Sequence, residues 1–335
     1  MEFLTSILAS LQGTFFGMSS RLAVLFLAAT VVLVLVLWVI RGRPGRFFDY
    51  LLPKEVYLHR SNLIDIQIFC VNLVLAVLGV LSAVVFTTLV AAATLTQLIE
   101  LAGHRPSLPE VTWVRSAAAT LIIVLTKDFC KYWAHWFHHE SRILWPFHAL
   151  HHSAEVLTPL TAQRNHPVFL LIRSVIYSLL LGLATGLMLF LLIGEIDLLT
   201  IGGANAGYFL FNLFGANLRH SHVWLSYGPV IEHIFISPAQ HQIHHSIEKR
   251  HFNKNYGEVF AIWDWMFGTL YVPKGYEDLT FGLADAKGRP VEQPHTNLVN
   301  ALVLPFAESL SEVTGIKFQK RGTSQPSKSA SGVDK

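Results

Sequence analysis

The chain has 335 residues, 52% of them hydrophobic and only 14% charged, against roughly 25% charged in an average soluble domain. That composition argues against an ordinary soluble protein, and a dispersed net charge of +3 gives no basic surface for nucleic acid. The two cysteines, Cys70 and Cys130, fall in or beside helical stretches, so they imply no disulfide framework and read as small core residues.

The first candidate element is Leu22 to Ile40, 19 residues without an ionisable group, enough to cross a hydrocarbon core of about 30 Å. It is not a convincing secretory signal: Glu2 is the only charge before Arg21, and no small-residue cleavage site follows closely. No Lys or Arg precedes Arg21, whereas Arg41, Arg43, Arg46, Lys54 and Arg60 follow the run. That asymmetry puts the C-terminal end of the first span in the cytoplasm. The Arg41–Arg60 connection, with its Gly-Arg-Pro-Gly and Leu-Pro-Lys, reads as an interfacial loop.

Ile66 to Ile99 is apolar apart from scattered Gln, Asn, Ser and Thr, and fits one long or tilted helix or two tightly joined ones. Gly103 to Pro109 reads as a turn on the opposite side. Ala117 to Leu125 is a short apolar run leading into a histidine cluster, and Val175–Ile193 and Leu198–Phe214 are two further candidate spans. With a single helix over 66–99, the alternation puts every histidine cluster on the cytoplasmic side; two crossing helices there would reverse it. The tail from Lys320 to Lys335 is rich in Ser, Lys and Gly and is expected to be disordered. The expected fold is an all-α integral membrane protein with four to five transmembrane helices and a cytoplasmic helical cap carrying a histidine-rich dimetal site. Its parts are an N-terminal segment, first span and interfacial loop (1–60), a catalytic membrane domain (61–290), an amphipathic interfacial segment (291–319) and the tail (320–335).

The chemistry sits in three clusters at the ends of apolar runs: His135 and His139, then His148, His151 and His152, then His241, His244 and His245. Imidazole is the commonest metal-ligating side chain. On a helix, positions i, i+3 and i+4 fall within roughly 100° of arc, so each HxxHH aims its rings at one side. Eight rings exceed the needs of one four-coordinate ion, and a pair of metal ions is the natural reading. Asp128 lies two turns before His135 on the same face, where it either hydrogen-bonds the far nitrogen of a ligating ring or pairs with Lys131. His138 ranks below its neighbours, and His59, His104, His233 and His295 are isolated and read as ordinary hydrogen-bonded residues.

The order HxxxH, HxxHH, HxxHH, with SPAQHQIHHS at 237–246, NYG at 255–257 and WDWMFGT at 263–269, resembles the fatty acid hydroxylase/sterol desaturase superfamily over roughly residues 65 to 275. The resemblance implies a membrane-bound non-haem di-iron enzyme using two iron ions and dioxygen, with zinc a possible substitute in preparations. It adds His166, in an Arg-x-His-Pro setting, and His220, after a membrane span, as metal-site members; His222 and His251 are left without an assigned role. It implies a lipid substrate, and outcomes in the family include hydroxylation, desaturation, methyl-group oxidation and ether-bond cleavage. No His-Pro-Gly-Gly motif of a fused cytochrome occurs, so electrons are expected from a separate donor: a cytochrome, a ferredoxin and its reductase, or a pterin. WDWMFGTLY suits packing at the membrane interface.

Two other classes compete. A zinc-dependent membrane hydrolase would carry HExxH, but Glu140 follows His139 with no histidine at 143. A metal transporter or storage protein would hold its site near the bilayer midplane, whereas these clusters lie beyond the span ends.

Overall fold

The computed structural model describes residues 2–316 apart from 19, 81–83, 105–112 and 194–197. The expected disordered tail, most of the 103–109 turn and the connection between the Val175–Ile193 and Leu198–Phe214 candidates therefore lie outside the described residues. Within them the fold is all-helical, with three isolated β-bridges and no strand. The N-terminal helices are α1 (Glu2–Phe16), α2 (Val24–Ile40), the short α3 (Phe47–Leu51) and α4 (Lys54–Tyr57), then α5 (Ser61–Val77) and α6 (Val84–Ala102). There follow α7 (Trp113–Glu140), α8 (Trp145–His152), α9 (Pro167–Met188), α10 (Leu198–Leu213), α11 (Pro238–His244), α12 (Ile262–Phe267) and α13 (Leu298–Thr314).

One described helix, Pro167–Leu191, is by itself long and apolar enough to cross a membrane; Val24–Ile40 and Phe86–Ala102 are shorter apolar helices. The apolar stretch 66–99 is split between α5 and α6, because Gly79 takes a left-handed conformation (φ 75°) and ends α5. The two halves behave differently. Along α5, Asp65 accepts from Thr161 at 2.6 Å and Asn72 donates to the Asn165 carbonyl at 2.8 Å. The Asp65–Asn72 stretch of α5 thus lies against 161–165, next to the start of α9; together with Phe47–Tyr57, from which it is bent by 80°, α5 is apolar enough for a broken span or a re-entrant loop. Helix α6 continues along the bundle.

Four helices build that bundle, and their contacts fix their directions. Thr87 meets Ser178, Val90 meets Gly182 and Thr94 meets Gly186, so α6 and α9 run parallel. Gly182 and Gly186 are required: a Cβ on either would stand 2.6 Å and 2.5 Å from the Val90 and Thr94 side chains. This is the small-xxx-small spacing that lets apolar helices approach closely without a hydrophobic driving force. Ala119 packs on Met188 and His138 on Phe169, so α7 runs antiparallel to α9. Gly203 packs on Thr120 and Tyr208 lies under Lys131, so α10 returns alongside α7.

The remaining elements cap the end where α7 and α10 finish and α9 begins. Arg164, fully buried, ties this cap together through Leu150 O, Ser61, Ser153 and the Asp65 carboxylate at 3.1 Å. A buried ion pair holds only if its remaining donors are satisfied, and these contacts satisfy them. Helix α2 packs along the cap edge, with Thr30 against Asn217 and Val34 against Leu218. Helix α13 buries Ala301, Pro305 and Ser309 and leaves Val299, Val303, Phe306, Leu310 and Val313 exposed as one apolar stripe.

Candidate metal centre

The cap gathers nine histidines into two groups whose ring nitrogens lie within 4.8 Å of one another: His135, His139, His148, His152 and His244 in one, His151, His220, His241 and His245 in the other. The division cuts across the sequence motifs, and helix geometry explains it. At 100° per residue, i and i+4 differ by about 40° while i+3 falls about 60° to the other side of i. In α8, His148 and His152 therefore serve the first group and His151 the second. Helix α11 does the reverse, His241 turning with His245 (the residue that ends the helix) to the second group and His244 to the first. The first helix contributes His135 and His139 at i, i+4, both to one group.

The spacings fit a coordination sphere better than a hydrogen-bonded network. Nε2 atoms stand 3.0 Å apart for His135–His148, 3.2 Å for His151–His220 and His220–His241, and 3.3 Å for His241–His245. Metal–nitrogen bonds of about 2.05 Å give ligand–ligand edges of roughly 2.9 Å in an octahedron and 3.3 Å in a tetrahedron. Chains of neutral imidazoles would leave several ring nitrogens unpaired, and buried nitrogens of His152, His244 and His245 indeed have no hydrogen-bond partner. Such orphans are costly unless something else engages them. Burial pushes the rings well below the ordinary imidazole pKa, to about 3 for His151 and about 4 for His244, and the other imidazoles around His148, His152, His241 and His245 add to it. The rings are thus neutral donors at physiological pH. An all-imidazole set suits a transition metal and not magnesium or calcium.

Backbone carbonyls orient the rings. His135 Nδ1 donates to Tyr256 O and His244 Nδ1 to Lys254 O, both at 2.8 Å, which leaves each Nε2 turned inward. The loop that supplies them is held by Asp264, which accepts from Tyr256 N and Gly257 N at 2.8 Å and from Thr269 Oγ1 at 2.6 Å. Asn255, at φ 57°, spans Gln240 O and Tyr271 N. Gly257 admits no side chain, since a Cβ would lie 2.5 Å from Phe260 O and 2.8 Å from Asp264 Oδ2. The NYG and WDW stretches therefore position ligating rings. The interfacial packing expected of WDWMFGTLY covers only part of this, with Trp265 and Met266 exposed.

Other expected site members lie apart. Asp128 meets no imidazole: seven residues along a helix is about 10.5 Å of rise, so it shares a face with His135 but not its level. Its carboxylate accepts from Val259 N, Phe260 N and the Trp263 indole, anchoring the same loop from the other side, while Lys131 pairs with Glu258 at 3.1 Å. His166 is engaged at both nitrogens, with Nδ1 capping α9 through Val168 N and Nε2 donating to Leu302 O. His138 donates to Ala134 O, His222 bonds Tyr50 O, and His251 pairs with Glu277. None of these three joins either group.

Residues 120–269 match the family model described as fatty acid hydroxylase, and that segment holds all nine clustered histidines. This match and the relatives below support a likeness of that segment to the fatty acid hydroxylase/sterol desaturase superfamily. Its similar relatives include an alkylglycerol monooxygenase of Danio rerio, 31% identical over 179 residues (53% of this chain, 36% of that protein). An ornithine lipid hydroxylase, OlsE, of Rhizobium tropici is 32% identical over 179 residues (52% and 49%). A Delta(7)-sterol 5(6)-desaturase, ERG3A, of Gibberella zeae is 30% identical over 155 residues (46% and 38%). In each case the match spans half or less of the relative's length. No solved structure matches the chain. These relatives are lipid oxygenases and a desaturase by name, and neither a hydrolase nor a transporter is favoured by them.

Proposed function

We propose that this chain is a membrane-bound di-iron oxygenase that uses dioxygen and external electrons to hydroxylate, or desaturate, an unactivated C–H bond of a lipid. The observation that carries the reading is the pair of all-histidine groups, five and four rings, packed side by side with no carboxylate among them. In this reading His135, His139, His148, His152 and His244 hold one iron, and His151, His220, His241 and His245 the other. Bound there, the ions supply dioxygen activation and attack on the C–H bond.

The chain's own residues do the rest. The 254–256 carbonyls and Asp264 keep the rings in register, and burial keeps them neutral. Phe169, stacked on His148 at 4.6 Å, and Tyr256, packed against His135, His139 and His244, exclude water from the ring edges. Trp145, 4.9 Å from His139 and 5.5 Å from His152 by ring centroids, offers a separate donor protein a covered route for electrons.

Four crossing helices, α6, α7, α9 and α10, are supported by their alternating directions, with α2 a candidate fifth. Taking α6 as the one crossing within 66–99 keeps the alternation derived for a single helix. The cap side carries Arg41, Arg43, Arg46, Lys54, Arg60, Lys249 and Arg250, so the centre faces the cytoplasm. The test is paired. Purified protein from iron-replete cells is expected to carry two iron ions per chain. Lipid extracts of cells with and without the gene should differ by one oxygen or two hydrogens in a lipid class. One ion or none, with no mass-shifted lipid, refutes the proposal.

A further inference from the structure

Beside the histidines lies a second set of polar groups that metal binding does not use. Glu258 accepts from Arg21 at 2.8 Å and Lys131 at 3.1 Å, which already gives it two cations. Arg219 and Arg173 act on it as well: burial pushes the Glu258 carboxyl up, and Lys131, Arg21, Arg219 and Arg173 outweigh that and hold it well below the usual range. Among the described residues the other acid acting on Arg219, Asp128, is taken up by two backbone donors and the Trp263 indole. Positive charge is therefore in surplus.

Glu258 keeps 31% of its side-chain surface exposed, beside these cations. Arg219 is 1% exposed, and neither terminal nitrogen of its guanidinium has a hydrogen-bond partner. The Tyr208 hydroxyl is likewise buried and unpartnered, with Lys131 Nζ 4.7 Å over its ring. The unsatisfied groups here are thus five guanidinium-type or phenolic hydrogens at most, all able to donate and none committed. An ion or group that only accepts would complete them.

The cations also rest on aromatic faces: Arg219 lies 4.4 Å from the Phe211 centroid and Arg173 5.4 Å from Phe169. Phe169 stacks on His148, and Arg219 directly precedes His220, so the cluster borders both histidine groups. The helices that carry it, α7, α9 and α10, are otherwise largely apolar in sequence. An occupant would be an acceptor-rich head followed by an apolar body.

We propose that Arg219 and Arg173, with Tyr208, form a recognition site for the oxyanion head group, phosphate or carboxylate, of an amphiphile whose chain is oxidised at the adjacent centre. This deepens the oxygenase reading and rests on it. Nine neutral imidazoles bring no negative charge, so an anionic head would also compensate the charge of bound metal.

The test measures binding without turnover. Metal-loaded protein in an uncharged detergent, without dioxygen or reductant, is titrated calorimetrically with dodecyl phosphate, with monododecyl glycerol and with inorganic phosphate. Dodecyl phosphate is expected to bind roughly ten- to hundredfold more tightly than the glycerol ether, as hydrogen bonds to charged groups imply. Arg219→Gln and Arg173→Gln should erase that preference, and Arg219→Lys should keep part of it. Because Arg219 has no hydrogen bonds at its terminal nitrogens to lose, Arg219→Gln should melt no lower than the parent. Equal binding of both amphiphiles overturns the proposal, as does an Arg219→Gln that weakens both alike or melts lower. If inorganic phosphate binds as tightly as dodecyl phosphate, the site is an isolated anion site and the amphiphile claim fails. Head-group preference without any oxidised lipid would sink the oxygenase reading alone; oxidised lipid without the preference would sink only this proposal.

Discussion

Replacing Asp264 by Asn tests how far the loop at 254–257 governs the centre. The side chain is fully buried and accepts from two backbone N–H groups and the Thr269 hydroxyl. Asn has the same shape but puts an amino group where one oxygen stood, and that amino group faces a donor. One charge-assisted hydrogen bond, about 1.5–3 kcal/mol, is lost and one buried donor is left unpaired at about 1–3 kcal/mol, so the local cost is roughly 3–5 kcal/mol. The damage reaches the rings because the Tyr256 carbonyl in this loop orients His135, and the Lys254 carbonyl beside it orients His244. Loss of an orienting partner outside the ligand set typically weakens metal affinity 10- to 100-fold. Metal retained per chain is measured after equilibration against chelators of graded strength, alongside the melting temperature. Asp264→Asn should release metal to a chelator about one to two orders of magnitude weaker than the parent requires. Unchanged retention and melting would show that the loop does not hold the rings, and the positioning argument would be wrong.

Further expectations follow from the same geometry. His220→Ala should lower bound metal below two ions per chain, whereas His166→Ala should keep both and cost only about 1 kcal/mol as a lost helix cap; equal loss in the two variants would refute the grouping. Gly186→Val should cost at least about 1–3 kcal/mol by forcing α6 from α9, read as a lower melting temperature; an unchanged value would mean the helices are not in close contact. Metal-free protein should become less stable as pH falls from about 6.5 towards 4. There the unfolded chain takes up protons on imidazoles that the folded chain holds at about 3 (His151) and about 4 (His244), each removing up to about 1.4 kcal/mol per pH unit. Asp264 and Asp128, each raised to about 6 by burial, and Asp65, also raised, act with the opposite sign, but they are fewer than the buried imidazoles. Denaturant titrations at pH 7 and 5 giving equal stability would contradict this.

The histidine boxes were legible because ligands must recur at helical spacing, and that spacing is visible in a linear sequence. Their assignment to two groups was not, since 100° of arc can be read as one face until the facing helices are in place. Asp128 shows the same limit: periodicity reports the angle about a helix axis, but contact also needs matching height. His166 and His220 each follow a recognisable local pattern, yet whether a ring turns inward depends on neighbours far along the chain, such as the Leu302 carbonyl. The apolar run 66–99 fits one long helix or two tightly joined ones in sequence, and its division into α5 and α6 depends on Gly79. The orienting role of Tyr256 and Lys254 runs through backbone carbonyls, which carry no side-chain signature.

The crossed use of α8 and α11 means that neither short helix belongs to one histidine group alone. Turning α8 by a few degrees to suit His148 and His152 also swings His151, and α11 couples His244 to His241 and His245 in the same way. Occupation of one position then fixes both helices and prepares the other, so filling should be cooperative, with singly loaded chains scarce in any titration. The same gearing makes the centre intolerant of partial damage: a defect admitted on one side is transmitted to its neighbour.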